Sequence, residues 1–452
     1  MSTIAAVSTP MAAGALGVIR ISGEEALAVA ERVFRCRGKK LSQRKGYTAV
    51  LGRVFDGQGE IDEAIALVFR GPKSYTGEDV VEFSCHGGPY LLSRTLRALY
   101  VAGAAPAGPG EFTKRAFLNG KLSLTQAEAV MDLISCEGRE AARAALSLKD
   151  GALYRRIQEM TGLLSGVCAG LGAWVDYPDD ELPELTEGEI ARVLAQVQRE
   201  LGKLVGEYDT GRIWREGVDT CIVGRPNVGK STLMNLLYGG EKSIVTQIPG
   251  TTRDLVETRV RLGETLLSLT DTAGLRETDD PVERIGVERA RKKLETAALV
   301  LAVVDSSAPL EGEDRALLQS LAGRPALVLV NKSDLEPAFA AGELEQFGVP
   351  VVFLSAKTGE GREALEEKIG EVLQIAKPDV SGGILANERQ LACAREALSQ
   401  VEEARRALED GVTLDAVDVL ISGAVSSLLS LTGEKAEERI VDEIFSRFCV
   451  GK

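Results

Sequence analysis

The pattern of hydrophobic and polar residues changes three times along the chain. Up to residue 118, short apolar runs are separated by turns rich in glycine and proline, such as GPKSYTG and HGGP, which is typical of β-strands. Two segments between these runs carry apolar residues at helical spacing instead. The strand-like runs are GVIRIS, YTAVLGRVF, AIALVFR and DVVEFS, and the helical segments are EEALAVAERVF and YLLSRTLRALYVAG. We therefore predict an α+β domain over residues 1–118.

Helical periodicity dominates two later stretches, residues 119–215 and 380–452. Both carry apolar residues at three- and four-residue spacing over many turns, as in EGEIARVLAQVQRELGKLV and NERQLACAREALSQVEEARRAL. Between them, residues 216–379 alternate short apolar strands with helices, which is typical of a parallel α/β sheet. The simplest interpretation is an α/β domain inserted between the two halves of one helical domain.

The composition fits a globular protein of two or three domains, with 452 residues of which 44% are hydrophobic and 27% charged. The 53 basic and 67 acidic residues give a net charge of −14, so an RNA partner would require a local basic face. One run of cations could form such a face, and a solvated loop is the alternative interpretation. The run consists of Arg35, Arg37, Lys39, Lys40, Arg44 and Lys45.

The seven cysteines are scattered and never spaced as Cys-x-x-Cys, which argues against a disulfide framework or a zinc site and fits a reducing compartment. No apolar run approaches the length that a membrane span is expected to have. The N-terminus lacks the basic start of a signal peptide. These features predict a cytoplasmic protein that does not enter a membrane.

The segment 224–231, GRPNVGKS, matches the pattern G-x-x-x-x-G-K-[ST] between a predicted strand and a predicted helix. In this pattern the glycines let backbone N–H groups surround phosphate oxygens, and the helix N-terminus favours negative charge. Lys230 would reach the β- and γ-phosphates as a catalytic cation, and Ser231 would offer its hydroxyl to Mg²⁺. The segment therefore predicts a site for a nucleoside triphosphate.

Three further runs, each at the end of a predicted strand, select the base. Asp271 of DTAG would lie beside the metal, and SAK at 355–357 would offer a backbone N–H to the carbonyl of guanine. Asp334 of NKSD can accept two hydrogen bonds from the N1–H and amine of guanine, which adenine cannot donate in that arrangement. Together, the runs resemble the guanine-nucleotide motifs of the Ras-like GTPase superfamily. That resemblance implies a Ras-like P-loop G domain with a mostly parallel sheet.

The run TQIPGTTRD at 246–254 occupies the position of switch I in such enzymes, and by resemblance Thr252 would close over Mg²⁺. The predicted GTP-binding residues are Asn227, Val228, Gly229, Lys230, Ser231, Thr232, Thr246, Gln247, Ile248, Pro249, Gly250, Thr251, Thr252, Asp271, Thr272, Ala273, Gly274, Asn331, Lys332, Ser333, Asp334, Ser355, Ala356 and Lys357.

Leu275 stands where Ras-type enzymes carry the glutamine that orients the attacking water. Because a leucine side chain forms no hydrogen bonds, another group must position the water. The polar segment that follows offers several carboxylates, and the residues alone do not choose among them. These are Glu277, Asp279, Asp280 and Glu283.

Motifs outside this domain indicate a narrower family. GPKSYTGED (71–79), CHGG (85–88), PGEFTKRAFLNGK (109–121), QAEAV (126–130) and the terminal CVGK (449–452) resemble those of the bacterial tRNA-modification GTPases of the MnmE (TrmE) family, which are TrmE-Era-like P-loop GTPases. The resemblance covers essentially the whole chain. It implies a folate-binding and dimerising N-terminal domain, a discontinuous helical domain and an inserted G domain, and it favours Glu283 as the catalytic carboxylate.

The resemblance also implies a reaction. Members of this family form homodimers and act with a flavoprotein, MnmG (GidA), in a heterotetramer or larger assembly. They install a carboxymethylaminomethyl-type group on C5 of the wobble uridine of tRNAs with a one-carbon unit from a tetrahydrofolate. In this chain a 5-formyl-type folate would contact Arg20, Glu82, Lys121 and Lys452. For Arg20 and Glu82 alone, a surface ion pair is the alternative.

K⁺ activates the GTPases of this family and replaces an arginine finger. The resemblance implies that K⁺ is bound by Asn227, Thr246, Thr251 and the carbonyl of Ile248, whereas Asn227 is otherwise an ordinary P-loop residue. Cys449 is either a reactive thiol in the modification or a buried apolar residue.

Three functions fit these motifs: a GTPase that drives tRNA modification, a ribosome-assembly GTPase switch, and a folate-dependent transferase with a vestigial GTPase. The complete guanine motifs argue against the third. The second would predict an appended RNA-binding module such as a KH domain, and no GXXG-centred unit stands out. We therefore predict the first function, with the ribosome-assembly switch as the alternative.

Overall fold

In a computed structural model, the protein is described over residues 2–136, 138–176, 186–208, 217–238, 258–262, 265–271, 297–373 and 382–452. The chain divides into two compact units. The first comprises residues 1–134, 146–202 and 388–452, and the second comprises residues 135–145 and 203–387.

The first unit begins with a sheet in which the described strands lie in the order β3-β4-β5-β6-β2-β1-β7. Neighbouring strands are antiparallel except for β1 and β7, which are parallel. The strands are β1 (Ile4–Val7), β2 (Leu16–Ser22), β3 (Phe34–Cys36), β4 (Thr48–Asp56), β5 (Gly59–Phe69), β6 (Val80–His86) and β7 (Ala105–Pro106).

Side chains alternate between the two faces of this sheet, as strand geometry requires. On one face, Ile19 and Phe83 share a buried core with helices α1 (Ala26–Val33) and α2 (Pro89–Val101). The opposite face carries the ion pair of Arg20 and Glu82, which are register partners on β2 and β6. A further helix, α3 (Glu111–Leu118), follows β7.

Long helices follow, as the periodicity predicts. The described ones are α4 (Leu124–Ser135), α5 (Arg139–Lys149), α6 (Ala152–Asp176) and α7 (Glu187–Gly206). Apolar residues at helical spacing bury one face of α7, with Ile190, Leu194, Val197 and Leu201 each 0% exposed.

The second unit contains a sheet in which the described strands lie in the order β13-β12-β11-β8-β10-β9. All neighbouring pairs are parallel except β9 and β10. The strands are β8 (Val218–Val223), β9 (Thr258–Leu262), β10 (Thr265–Asp271), β11 (Leu299–Asp305), β12 (Ala326–Asn331) and β13 (Val351–Phe353). The described helices are α8 (Lys230–Tyr238), α9 (Gly312–Ser320), α10 (Gly342–Glu345) and α11 (Arg362–Val372).

This arrangement confirms the predicted α/β domain with a mostly parallel sheet. Strands β11 and β12 are buried throughout, except for partly exposed Asp305 at the end of β11, because their two faces pack into two separate apolar clusters. The carboxyl ends of parallel strands meet at one edge of a sheet, so the loops after β8, β11, β12 and β13 gather there.

Helical structure returns in α12 (Glu388–Glu409), α13 (Leu414–Thr432) and α14 (Glu438–Ser446). Helix α13 packs against α12 and α6, and the three belong to the same compact unit. The first and last helical segments of the chain therefore share one unit, on either side of the inserted α/β domain in the sequence.

Helix α13 corrects the expectation that no apolar run approaches the length of a membrane span. Within the described residues, it is the one helix that is long and apolar enough to cross a membrane, with a mean hydropathy of 1.6. One side is buried in the bundle, where Val417, Ile421, Ala424 and Leu428 are 0% exposed. The core helix of a helical bundle has this length and composition too, so these properties alone do not indicate insertion.

The last four residues lie beside α3. Val450 forms an antiparallel bridge with Pro109, and the N–H of Phe112 donates a hydrogen bond to the carbonyl of Lys452 at 3.1 Å. The N–H of Gly110 donates to the carbonyl of Cys449 at 3.3 Å. Backbone hydrogen bonds thus fix the C-terminus against the N-terminal domain.

Candidate functional site

The loop between β8 and α8 turns tightly over the edge of the sheet. Gly224 has φ +146°, and a Cβ there would lie 2.3 Å from the carbonyl oxygen of Val303 on β11. Gly229 has φ +97°, and a Cβ there would lie 2.2 Å from Nδ2 of Asn331. Only glycine fits this backbone at either position, so both glycines of the phosphate-loop pattern have a steric reason.

Lys230 lies over the same loop. Its ammonium donates hydrogen bonds to the carbonyls of Gly224 and Arg225, at 2.6 and 2.7 Å. The next residues, Ser231 and Thr232, are exposed in the first turn of α8, where unpaired N–H groups and the helix dipole favour an anion. Exposed Asn227 adopts φ 65° in the same loop. This geometry can hold phosphate groups.

Asn331 connects three predicted loops. At the end of β12, its Nδ2 donates a hydrogen bond to the carbonyl of Val228 at 2.8 Å, and its Oδ1 accepts one from the N–H of Ala356 at 2.9 Å. The residue is 2% exposed. The phosphate loop, the NKSD run and the SAK run therefore meet around one buried amide.

Asp334 lies on the exposed side of this junction. Ser355 Oγ donates a hydrogen bond to Asp334 Oδ1 at 2.6 Å, and this bond lowers the pKa of Asp334. The carboxylate is thus ionised and oriented by Ser355, as an acceptor for two N–H groups of a base must be.

Lys332 is held on the neighbouring loop. Its ammonium pairs with Asp305 at the end of β11, and its carbonyl accepts a hydrogen bond from Ser306 Oγ at 2.8 Å. Burial raises the pKa of Asp305, but hydrogen bonds from Lys332 and Ser307 outweigh this effect, and the net pKa is lowered. Asp305 therefore stays charged as the partner of Lys332.

Asp271 ends β10, where its backbone pairs in register with Ile222 of β8. This places the start of the DTAG run next to the strand that leads into the phosphate loop. The other predicted residues of the switch regions lie outside the described residues. They are Thr246, Gln247, Ile248, Pro249, Gly250, Thr251, Thr252, Thr272, Ala273, Gly274 and Glu283.

A second polar site lies in the first unit, on the open face of the sheet. Arg20 Nε lies 2.7 Å from Glu82 Oε1, so the two predicted folate contacts pair with each other. The Arg20 guanidinium also lies 5.2 Å from the centre of the Tyr75 ring and 5.5 Å from that of Phe112. Arg20 is therefore fixed between two aromatic rings, a stronger constraint than an ordinary surface ion pair.

Hydrogen bonds from side chains outside the loop hold the segment 71–79, which carries Tyr75. Arg115, 3% exposed, donates hydrogen bonds to both carboxylate oxygens of Glu78 at 3.1 and 3.2 Å. Ser22 Oγ donates to the same carboxylate at 2.7 Å. Lys121 caps the loop by donating to the carbonyl of Pro72 at 2.9 Å. Lys121 is thus brought to the loop that positions Tyr75.

The C-terminus also lies next to this site. The Phe112 ring contacts the Arg20 guanidinium, and the Phe112 N–H donates a hydrogen bond to the carbonyl of Lys452. Three of the four predicted folate residues are thereby linked through Phe112, and Lys121 is linked through the Tyr75 loop. Cys449 is exposed, which contradicts its interpretation as a buried apolar residue.

Two family descriptions match the chain. "GTP-binding protein TrmE N-terminus" matches residues 3–121, and "MnmE helical domain" matches residues 124–449. The chain belongs to the MnmE family.

Family members named "tRNA modification GTPase MnmE" are similar to the chain over its whole length. The protein of Symbiobacterium thermophilum is 47% identical over 455 residues, which cover 100% of this chain and 99% of the relative. That of Heliobacterium modesticaldum is 44% identical over 469 residues, with 100% and 99% covered. That of Bacillus licheniformis is 40% identical over 460 residues, with 100% of both chains covered.

One solved structure is similar to part of the chain. The G domain of the T. maritima FeoB iron transporter is 34% identical, covers 34% of this chain and 98% of its own, and has a TM-score of 0.28.

Sequence reasoning did not assign four residues of these MnmE-family sites. Tyr75 lies in the GPKSYTGED motif and Phe112 in the PGEFTKR motif. In each motif, an aromatic residue among polar ones is the sequence signal that could have identified it. Arg115 lies in the second of these motifs as well. Arg225, inside the phosphate loop, pairs with buried Asp314 on α9, and no local pattern indicates that partner.

Proposed function

We propose that this protein hydrolyses GTP and uses the hydrolysis cycle to drive carboxymethylaminomethyl-type modification at C5 of the wobble uridine of tRNAs. It acts with the flavoprotein MnmG (GidA) and takes a one-carbon unit from a tetrahydrofolate. Family membership supports the GTPase and tRNA parts, since the curated relatives are named as tRNA-modification GTPases.

The observation that carries the proposal is the position of Asn331 between Val228 and Ala356. One buried amide holds the phosphate loop and the two predicted base-recognition loops together, which supports a base site at Asp334 next to the phosphate loop. A guanine base donates two N–H groups to that carboxylate, whereas adenine presents no such pair. The nucleotide is therefore GTP.

In this reaction a water molecule attacks the γ-phosphorus, and the bond to the β–γ bridging oxygen breaks. Lys230 and the N–H groups at the start of α8 stabilise the negative charge on the phosphates. Glu283 orients the water in our proposal, because Leu275 cannot do so.

The donor set at the loop fits Mg²⁺. The exposed hydroxyl of Ser231 is a hard oxygen donor, which Mg²⁺ prefers, and Asp271 ends the strand that pairs with β8. Mg²⁺ takes its other ligands from phosphates and water. Ser231 and Thr252 would hold the ion, which neutralises phosphate charge when bound. The exposed carboxamide of Asn227 fits a K⁺ ligand. The other K⁺ ligands in our proposal, Thr246, Thr251 and the Ile248 carbonyl, lie outside the described residues.

The residues of the sheet face fit a folate. Glu82 offers a carboxylate to the amide and amine donors of a pterin, and Arg20, Lys121 and Lys452 offer cations to a carboxylate tail. The half-buried Tyr75 ring lies next to Arg20, and the fully buried Phe112 ring supports Arg20 from the core. The folate supplies a one-carbon unit when bound. Cys449, which is exposed, lies in the same C-terminal segment as Lys452.

We also propose a cytoplasmic homodimer formed through the N-terminal domains. The open face of the sheet exposes apolar register partners, Leu51 and Ile65, with 63% and 43% of their surfaces exposed. An apolar sheet face of this kind gains free energy when a second copy covers it.

Nucleoside analysis by mass spectrometry of tRNA from a deletion strain tests the proposal. We expect the modified wobble uridine to disappear and to return with the wild-type gene. Normal wobble uridines together with a ribosome-assembly defect would instead establish the alternative, a ribosome-assembly switch.

A further inference from the structure

A basic loop lies at the edge of the N-terminal sheet, between β3 and β4. Four of its cations are Arg37, Lys39, Lys40 and Lys45, a fifth, Arg35, lies just before them on β3, and all five are exposed. In the described part of the chain, no carboxylate forms an ion pair with any of them. They therefore form a positive surface on a protein with a net charge of −14.

This basic loop is held in place by other residues. Leu41, 1% exposed, anchors its middle in the core. Arg44 folds back and donates hydrogen bonds to the carbonyls of Lys39 and Arg37, at 3.1 and 3.3 Å. Arg70 donates to the carbonyl of Ser42 from the sheet side. The five exposed cations thus stand on a fixed backbone, so little ordering entropy is lost when they bind a ligand.

An exposed aromatic ring ends the loop. Tyr47 is 70% exposed and adopts φ 61°, a left-handed conformation that is costly for a bulky residue. Its ring packs against Phe69 at nearly a right angle, with centroids 5.6 Å apart, and its large exposed surface leaves room for another ring. Cations beside an exposed aromatic face are the combination that binds single-stranded nucleic acid, by phosphate contacts and base stacking.

The basic loop is joined to the candidate folate site by a single arginine. Arg70 donates to the basic loop, and it also pairs with Asp79 at 2.8 Å. Asp79 ends the segment 71–79, which carries Tyr75 and is capped by Lys121. Arg70 therefore holds the basic loop against the segment that carries Tyr75.

We propose that this basic loop and Tyr47 form an RNA-binding surface, on which the cations contact phosphates and Tyr47 stacks on an unpaired base. The ligand is the tRNA substrate, so the inference rests on the proposed function and adds the surface that would receive it. Bases in an A-form helix are paired and stacked on one another, so an unpaired loop is the part of a tRNA on which Tyr47 can stack.

Equilibrium binding of full-length protein to a fluorescent tRNA transcript with uridine at the wobble position, measured over a series of KCl concentrations, tests the proposal. Replacing Lys39, Lys40 and Lys45 together by glutamine removes three phosphate contacts. The slope of log K against log[KCl] should then become shallower by about 2, and affinity near 0.1 M salt should fall by about tenfold to a hundredfold.

Tyr47→Asn gives an independent measurement. Asparagine tolerates positive φ better than tyrosine, so the melting temperature should change little or rise. Loss of base stacking should still weaken RNA binding by about tenfold, and the salt slope should not change. A purely structural role for Tyr47 would give the opposite pair of results, with a lower melting temperature and unchanged affinity.

The matched control replaces three exposed cations of the helical segments, Arg199, Arg395 and Lys435, by glutamine, which changes net charge by the same amount. GTP turnover without RNA should be wild-type in all variants. Equal affinities and slopes for the loop and control triples, or no binding by the wild type, would overturn the inference. A loop variant that lost flavoprotein binding but kept wild-type tRNA binding would also overturn the inference.

Complementation separates this inference from the proposed function. If wild-type protein restores the modified uridine and the loop variants restore it with unchanged tRNA binding, the inference is wrong and the proposed function stands. If wild-type protein itself fails to restore the nucleoside, the proposed function is wrong.

Discussion

Arg225 in the phosphate loop lies 2.9 Å from Oδ2 and 3.0 Å from Oδ1 of Asp314, measured from its Nε. Asp314 is 2% exposed and also caps α9 by accepting a hydrogen bond from the N–H of Glu311 at 3.1 Å. The pairing with Glu311 and Asp314 raises the pKa of Arg225. These contacts therefore hold the phosphate loop against helix α9, which follows the neighbouring strand β11 in the sequence.

Replacing Arg225 by alanine should therefore destabilise the G domain by about 2 kcal/mol, because it leaves the buried Asp314 carboxylate without its cation. Denaturant unfolding gives this free energy, and titration with a fluorescent GDP analogue should show weaker binding. Arg315→Ala is the control, since its pair with Glu343 is exposed at 42% and 40%. Equal stability of the two variants would contradict this role for Arg225.

Asp334→Asn should reverse base preference. It removes two charge-assisted hydrogen bonds to guanine, so GTP affinity should fall by about 100-fold or more. The new amide can donate to the C2 carbonyl of xanthine, so xanthosine triphosphate should bind better to the variant than to the wild type. Competition with the fluorescent GDP analogue measures both affinities. Unchanged GTP binding would show that another group selects the base.

Glu82→Gln should weaken binding of 5-formyltetrahydrofolate by about tenfold or more, because a neutral amide replaces the carboxylate that pairs with the pterin donors. Calorimetric titration of the purified protein measures this change. Glu60→Gln is matched to it, since Glu60 forms an exposed pair with Arg53 on the same sheet. A folate that bound both variants and the wild type equally would have to occupy a different site.

Glu283→Ala should slow GTP turnover and leave GTP affinity nearly unchanged, since the carboxylate acts on the attacking water in our proposal. Turnover of the wild type should also be faster in K⁺ than in Na⁺ at matched ionic strength. Equal rates in the two salts would argue against the proposed K⁺ ligands. Unaffected turnover of the Glu283→Ala variant would show that another residue orients the attacking water.

The chain has one histidine, His86, so its titration can be followed by NMR without ambiguity. A hydrogen bond to Asp62, with Nδ1 and Oδ1 2.6 Å apart, raises the pKa of His86. The stabilisation from the charged pair is fully present below the unfolded pKa of about 6.5 and is lost as the pH rises through the higher folded pKa. Asp62→Asn should lower the measured pKa towards 6.5, and an unchanged value would contradict the pairing.

Much of the fold could be predicted from the sequence because its elements depend on local spacing. The strand runs of β2, β4, β5 and β6 and the long helical segments are confirmed, as is the inserted α/β domain. One prediction about composition was wrong, since α13 has the length and hydropathy of a membrane span. Sequence windows judge each helix in isolation, whereas burial against α6 and α12 depends on partners far along the chain.

The candidate sites divide in the same way. The phosphate loop, the predicted base-recognition runs and the family could be inferred from the sequence, because each depends on short motifs whose glycines, hydroxyls and carboxylates lie within a few residues. Only the tertiary structure decided that Asn331 holds Val228, that Arg225 pairs with Asp314 and that Arg20 lies between Tyr75 and Phe112. These contacts join segments of distant sequence position, and strand order and packing, which no local spacing encodes, bring them together.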